Sequence, residues 1–551
     1  MIRQAGALAL ALAFLGCEAA DKEAADKGAT YTVSEFIGPS PFHGLHGLAV
    51  EADGTILAGS VVGQSIYAVN PATGEVTIRI GPPDGMADDI AFGPNGVMAW
   101  TGYLTGKVFV QDKGAAPRMV ASGLPGANSL AFTKDGKLYL TQVFLGDALY
   151  EVDWKGDKGA RLIKKDLGGL NGFEIGPDGM IYGPLWFRSA IARVDPATGV
   201  ATDYATGFQI PAAANFGPDG NLYAIDTKTG EVKRIDKTTR QVGLVAKLSP
   251  ALDNLAFGPN GMIYVSNMAD AAIHEVNPET GAVRTVVSGS LSTPTDLAIW
   301  NGPEGERLHV ADIFAYRVID TATGAITNPL RMYRDEVENP LGVGAGATKV
   351  VIASWSAGTI QVLDRTTGAQ IAIHHGLGAP VDALELADGR ILALEAARGA
   401  ISLIDPAQIS TAANPPKALV TGLNMPVAMA EAAGGKIYVT ESGTGSLARV
   451  DLGSGEIVRV ASNLASPEGV DIGADGRVYV AEAGAGRLIA FNPADGSTAM
   501  IAEGLKTGLP AAEGTLPAYT TTGVAVSRRD GSIYVSSDIT NAIYRITRSP
   551  S

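Results

Sequence analysis

Residues 253–287 read DNLAFGPNGMIYVSNMADAAIHEVNPETGAVRTVV. Apolar residues gather in four short runs, 254–257, 262–266, 273–276 and 283–287, and each run ends in turn-forming residues. Short runs of this kind, bounded by turn signals and alternating with period two, read as strands. Asn260-Gly261 separates the first two runs. Asn-Gly or Asp-Gly in that setting is the strongest short-range hairpin signal, with both turn residues expected at positive φ. Pro278-Glu279-Thr280-Gly281 supplies the third turn. The stretch therefore predicts a four-stranded antiparallel meander of about 41 residues, the repeat length of a propeller blade.

The first turn recurs as Asp53-Gly54, Asn95-Gly96, Asp135-Gly136, Asp178-Gly179, Asp219-Gly220, Asp388-Gly389, Asp475-Gly476 and Asp530-Gly531. Less regular copies begin near Thr295, Asn339 and Pro426, which gives twelve repeats in all. Propellers usually carry four to eight blades, so the expected fold is all-β, two tandem six-bladed β-propellers of four-stranded antiparallel blades. The small, turn-prone segment 288–294 places the division there, with the first propeller over 31–290 and the second over 291–551. Residues 31–38 alternate like a strand ahead of the first repeat, while the twelfth repeat ends after 542–547 without a fourth strand. Because a ring closes to remove its strand edges, the expectation is that 31–38 completes the sixth blade and 283–287 the twelfth. Two long insertions stand out, 404–416 and 506–522, and the second leads into an inner strand where it can lie over the pole of its ring.

The N-terminus is written differently. One positive charge at Arg3, an apolar run over 5–15 too short to span a bilayer, and Gly16-Cys17 make 1–17 a secretory signal. Its end resembles a lipoprotein processing site, with Phe14 where Leu is usual. Cys17, the only cysteine, is then the lipid attachment site. Residues 18–30 are small, charged and without apolar periodicity, so they read as a flexible tether. The expected location is the bacterial cell envelope, exported and lipid-anchored in the periplasm or outer membrane, with membrane contact only through that anchor. A net charge of −15 without any basic run argues against a nucleic-acid partner.

In a propeller the first strand of each blade lines the central channel, and side chains at its start converge at one mouth. Aligned by the following strand, the first six repeats place His46, Asp88, Asn128, Asn171, Ala212 and Asp253 there. Calcium takes six to eight oxygen ligands from carboxylates, amides and water, and a ring of Asp and Asn supplies them. The same residues also serve simply to cap turns at wet strand starts. In the second ring the pole offers Asp382 and Glu468, with His374-His375 just before Asp382, a thinner set read as binding or structural. Trp186 and Trp355 fall where aromatics pack between blades, or stack on a sugar.

The repeats resemble the NHL type of propeller and, through Leu170-Asn171-Gly172, Asp253-Asn254-Leu255 and Asn128 ahead of its strand, the senescence-marker/gluconolactonase and paraoxonase superfamily. The resemblance implies a central calcium held by Asn128, Asn171 and Asp253, with Asp88 a further ligand and Asn254 another contributor, and a metal-polarised lactone or ester carbonyl attacked by water. It also favours His46, in its His-Gly pair, as the catalytic base. The family's Glu has no counterpart in the first ring; Pro467-Glu468-Gly469 is the nearest text. The reading that results is an exported calcium-dependent hydrolase of a small-molecule lactone or ester, working at the first pole. Its alternative is a non-catalytic propeller that binds an envelope protein or glycan. A lyase like the streptogramin-opening propellers is a third reading, against which the Tyr-Val-Ser and Tyr-Val-Ala strands count.

Overall fold

The structure is a computed structural model that describes residues 30–303, 305–515 and 520–549; the signal segment with Cys17 and nearly all of the tether lie outside the described residues. Among the described residues its strands form twelve four-stranded antiparallel sheets, eleven of them meanders of consecutive strands and the twelfth completed by the N-terminal strand. They are numbered here as blades 1 to 6 (48–80, 90–121, 127–165, 174–205, 211–247, 252–287) and blades 7 to 12 (294–331, 340–374, 380–421, 426–461, 467–503, 524–548). Each inner strand packs on those of the blades before and after it. The inner strand of blade 1 meets that of blade 6, and blade 7 meets blade 12, so two six-bladed rings close.

A serine seals each closure. Ser266 Oγ in blade 6 donates to the His46 carbonyl at 2.7 Å, and Ser536 Oγ in blade 12 donates to the Thr295 carbonyl at 3.0 Å. Thr101 does the same from blade 2 to the Asn128 carbonyl at 3.1 Å. Between blades, Leu, Val and Ile fill the cores, as where Leu130, Leu138 and Leu140 of blade 3 pack on Val97, Val108 and Val110 of blade 2. Full burial of each such side chain contributes about 1.5–3 kcal/mol.

Two expectations are corrected. Tyr31–Ile37 pairs antiparallel with Ile543–Arg548 and is the fourth strand of blade 12, while Val283–Val287 stays in blade 6. The repeat that starts each ring is already whole, so the described chain enters through the second ring at strand 31–37, crosses to build all of the first, and returns. Strand 31–37 therefore belongs with the second ring and not with the stretch 31–290. The hairpin turns also differ in geometry. At 258–262, Gly258 N–H donates to Met262 O at 2.9 Å and Gly261 N–H to Gly258 O at 2.9 Å, with only Gly261 at positive φ. This is a type I turn followed by a left-handed residue, and Asn260 serves by accepting Met262 N–H at 3.1 Å. Of the Asn-Gly and Asp-Gly pairs, Asn95-Gly96 alone has both residues at positive φ.

The two rings are docked through their pole faces. Arg317 and Arg331 of blade 7 bond to the Ala269 carbonyl and the Asp270 carboxylate of blade 6. Ile313, Phe314 and Met332 pack with Val62, Ala251, Met268 and Ala269. The insertion 506–522, of which 516–519 lie outside the described residues, touches both rings: Gln64 donates to Pro510 O at 2.6 Å, Lys107 pairs with Glu513 at 2.6 Å and Ala512 packs on Val61 and Met86 of the first, while Gly508 and Leu509 N–H donate to the Asp538 carboxylate and Thr522 N–H to Glu468 of the second. The crossing linker is pinned as well, His43 Nε2 lying 2.7 Å from Asp538 O and Asn541 donating to Phe42 O at 2.7 Å.

Candidate functional site between the rings

Local backbone geometry sets the pole. In blades 3 and 6 the pairing of the first two strands slips between Ala127 and Leu130 and between Leu252 and Leu255. A bulge there re-aims side chains, and the residues inside these two are Asn128-Ser129 and Asp253-Asn254.

Asp88, Asn128 and Asp253 are brought together. Asn128 Nδ2 donates to Asp88 Oδ2 at 2.5 Å. Burial, then the charges of Asp253 and Asp89, pushes the Asp88 carboxyl well above the usual range; burial and Asp89 push Asp253 to about 8. Two acids that repel each other in a desolvated site are eased by a proton or a cation. The side-chain oxygen of Asn128, Oδ1, is buried and has no hydrogen-bond partner among the described residues.

His46 stands at the same pole. Its ring packs edge-on against Phe314 of the second ring with centroids 5.6 Å apart, and its Nδ1 has no hydrogen-bond partner among the described residues. Burial lowers its pKa to about 4, so the imidazole is neutral at pH 7. Asn171 is placed at the pole too, but its side-chain oxygen already accepts Gly172 N–H at 2.9 Å, leaving one lone pair.

Asp89 was not anticipated from the sequence. Its Oδ2 accepts Ser129 Oγ at 2.6 Å and Leu130 N–H at 3.2 Å, and its Oδ1 accepts Ile90 N–H at 2.9 Å and Asn254 Nδ2 at 3.2 Å. These four bonds make it a strut between inner strands, and they engage Asn254 as a strut partner. The Asp88-Asp89 doublet was the available signal. Below this layer the channel of the first ring widens into a cavity of about 320 Å³ whose lining includes Ala91, Glu174, Asn215 and Ala256.

The second ring contributes from above. Tyr333, in the turn after blade 7, feels Asp253, Tyr103, Glu338 and Asp88, and burial first of all drives its phenol pKa well up. It stays protonated and can only donate toward acids. Tyr333 also holds φ 66, a left-handed conformation rare for a bulky residue and costing on the order of 1–3 kcal/mol. Its ring meets Trp186 of blade 4 at 5.1 Å. Trp186, half-buried, thus meets Tyr333 while it also packs against the core shared by blades 5 and 6, as Trp355 packs against a core of the second ring.

The acids expected at the second pole do not share one layer. Glu468 starts its strand and accepts Thr522 N–H at 2.6 Å, with its pKa pushed well up by burial and then Asp538. Asp382 sits deeper, in the position Asp89 takes in the first ring. It accepts Met429 N–H of the next blade at 2.7 Å and faces Asp296 and Asp471. His374 is at the end of an outer strand, its Nδ1 3.4 Å from Ser410 N, and contributes nothing to the pole.

No protein-family model matches the chain. No curated protein matches it either. Among solved structures it is similar to a streptogramin B lyase, with 18% identity over 51% of this chain and 94% of that one and a TM-score of 0.38. A protein of unknown function from Bacteroides thetaiotaomicron shares 16% identity over 47% of this chain and 76% of that one, with a TM-score of 0.37. A third, described as the extracellular domain of a one-component system from B. thetaiotaomicron, has 11% identity over 92% of this chain and 76% of that one, with a TM-score of 0.32.

Proposed function

We propose that the chain is an exported, calcium-dependent hydrolase of lactones or esters, lipid-anchored through Cys17 in the cell envelope and working at the pole of the first ring. The observation that carries the reading is the Asp88–Asp253 pair with the unpartnered Asn128 oxygen beside it.

The donor set fits a hard cation. Among the described residues no three His, Cys, Asp or Glu side chains converge as a metal site, so the oxygens available are two carboxylates plus amides. That inventory suits calcium better than zinc, which favours nitrogen and sulfur. Asp88, Asp253 and Asn128 would hold the ion, with Asn171 lending its remaining lone pair. Calcium, when bound, would polarise an ester or lactone carbonyl.

The protein's own groups then have separable parts. His46, neutral and with Nδ1 unengaged, is the base that takes a proton from water. Tyr333, protonated, is a hydrogen-bond donor at the roof. The second ring over the pole keeps bulk water down, which strengthens each of these interactions.

The test is metal content by mass spectrometry on purified 18–551 and on Asp253→Asn, together with a screen of lactones and esters with and without chelator. One calcium, absent from the variant, and hydrolysis abolished by chelation are the expected outcome. No bound calcium and no chelator effect would sink the reading and leave a binding propeller for an envelope protein or glycan.

A further inference from the structure

Three residues beyond the pole position, each inner strand of the first ring carries a residue that lines the channel. In blades 1, 2, 3 and 6 it is Ala49, Ala91, Ala131 and Ala256; in blades 4 and 5 it is Glu174 and Asn215. All six border the cavity of about 320 Å³, with Asp89 and Asn254 at its inner end. Four one-carbon side chains leave the channel wide at this layer. The repeat departs from alanine only on two neighbouring blades, so the cavity has one polar wall facing an apolar one.

The backbone fixes the polar wall. Gly172 and Ala213 form a parallel bridge, and Ala214 N–H donates to Gly172 O at 2.8 Å. A Cβ on Gly172 would stand 2.5 Å from the Ala213 Cβ, so glycine lets the inner strands of blades 4 and 5 close together. Two residues on, the Glu174 carboxylate accepts Phe216 N–H of blade 5 at 2.5 Å, and the Asn215 amide donates to the same carboxylate. An ionised carboxylate offers about four acceptor positions, so these bonds do not exhaust it.

No positive charge answers that carboxylate. Among the described residues that line the cavity there is no Lys, Arg or His, and burial pushes the Glu174 pKa up. A buried carboxylate is costly unless a cation meets it. Asp89 already accepts four bonds and asks for nothing more. Inner strands run away from the docked pole, so the mouth lies on the opposite face of the ring, where Phe92 is exposed.

We infer that this outer mouth of the first channel binds a small primary alkylamine, its ammonium on Glu174 and Asn215 and its chain along Ala49, Ala91, Ala131 and Ala256. An alkylammonium brings three N–H donors and the missing charge. An anion would be repelled, and a polyol would leave the alanine wall unmatched. At about 30 Å³ of liquid volume per water, the cavity holds roughly ten non-hydrogen atoms, which bounds the chain. The site is separate from Asp88 and Asp253 and does not depend on the hydrolase reading.

The experiment is titration calorimetry of hexylamine, 1-hexanol and hexanoate at pH 7.5 into purified 18–551, with a calcium chelator present throughout. The variants are Glu174→Gln, Ala91→Leu and Asp253→Asn, each checked for folding by its melting curve. One hexylamine per chain is expected, with 1-hexanol and hexanoate bound far more weakly. Glu174→Gln keeps an oxygen for Phe216 N–H but loses the charge, so hexylamine affinity should fall roughly tenfold or more. Ala91→Leu fills the cavity and should abolish binding, whereas Asp253→Asn should bind as the wild type does. No hexylamine binding by the wild type, equal affinity for 1-hexanol, or unchanged binding in folded Glu174→Gln would overturn the inference. Loss of binding in Asp253→Asn alone would do so too, by moving the amine to the pole. Should Glu174→Gln fail to fold, the preference for hexylamine over 1-hexanol and its loss in Ala91→Leu decide the matter.

Discussion

Asn128 gives its amide N–H to Asp88 Oδ2 at 2.5 Å, and the carbonyl oxygen of the same amide, buried beside it, is offered to no other group among the described residues. A buried acceptor left unmade costs about 1–3 kcal/mol. Such a cost persists where something outside the chain satisfies the group.

Replacing Asn128 with Leu separates the two halves of that statement. The metal-free protein loses the bond to Asp88 but also the orphaned oxygen, so its stability should change by about 1 kcal/mol or less. Calcium affinity, read by titration calorimetry, should fall at least tenfold because one oxygen ligand is gone. A variant that binds calcium as tightly as the wild type would take Asn128 out of the ligand set.

Asp253 sets a pH dependence whose sign is fixed. Its folded-state pKa is raised from 3.8 to about 8. Folding therefore gains from its protonation, the gain being complete below 3.8 and lost as pH rises through about 8, at about 1.4 kcal/mol per unit of pH at most. Without calcium, thermal stability should decline across that window, and Asp253→Asn should flatten the decline. Calcium reverses the preference by favouring the ionised form, so the rise in Tm on adding it should be larger at pH 8 than at pH 5. A calcium-induced shift that is equal at both values would contradict the pair as its site.

His46 should act through its unengaged Nδ1. With a pKa near 4 it is neutral from pH 5 upward, so it places no limb on the rate profile between 5 and 8. His46→Gln should lower kcat by roughly 10²-fold, the low end for a lost general base, with calcium content unchanged. If kcat is retained, the ring is only a wall residue packed on Phe314.

The repeat at 253–287 made the blades, their number and the first pole legible, because period-two alternation and turn chemistry are local. Asp88, Asn128 and Asp253 followed from blade alignment alone. What lay beyond reach was long-range. Nothing local in 31–38 says which ring it closes, and nothing near Tyr333 says that it stands over the acids of the other ring. Asp89 escaped because strict alternation points it away from its neighbour, whereas a bulge lets consecutive residues such as Asn128-Ser129 both serve the channel. The loop 506–522 was expected over its own pole, and its contacts with Gln64 and Lys107 depend on ring docking that no sequence pattern encodes.

The N-terminal strand offers the clearest check on topology. Residues 31–37 pair along Ile543–Arg548 from Tyr31 with Arg548 to Ile37 with Ile543, and Phe36 packs on Tyr534 with centroids 5.1 Å apart. Deleting 31–37 strips the outer strand from blade 12 and leaves 543–548 as an unpaired edge, the kind of template that recruits other chains. Blade 12 also closes the second ring against blade 7, so the loss should spread there before it reaches the first ring. Hydrogen exchange on a protein starting at residue 38 should show blades 12 and 7 losing protection while blades 3 and 4 keep theirs, with more aggregation on heating. Loss centred on blade 6 instead would mean that the strand closes the first ring, contrary to the pairing seen here.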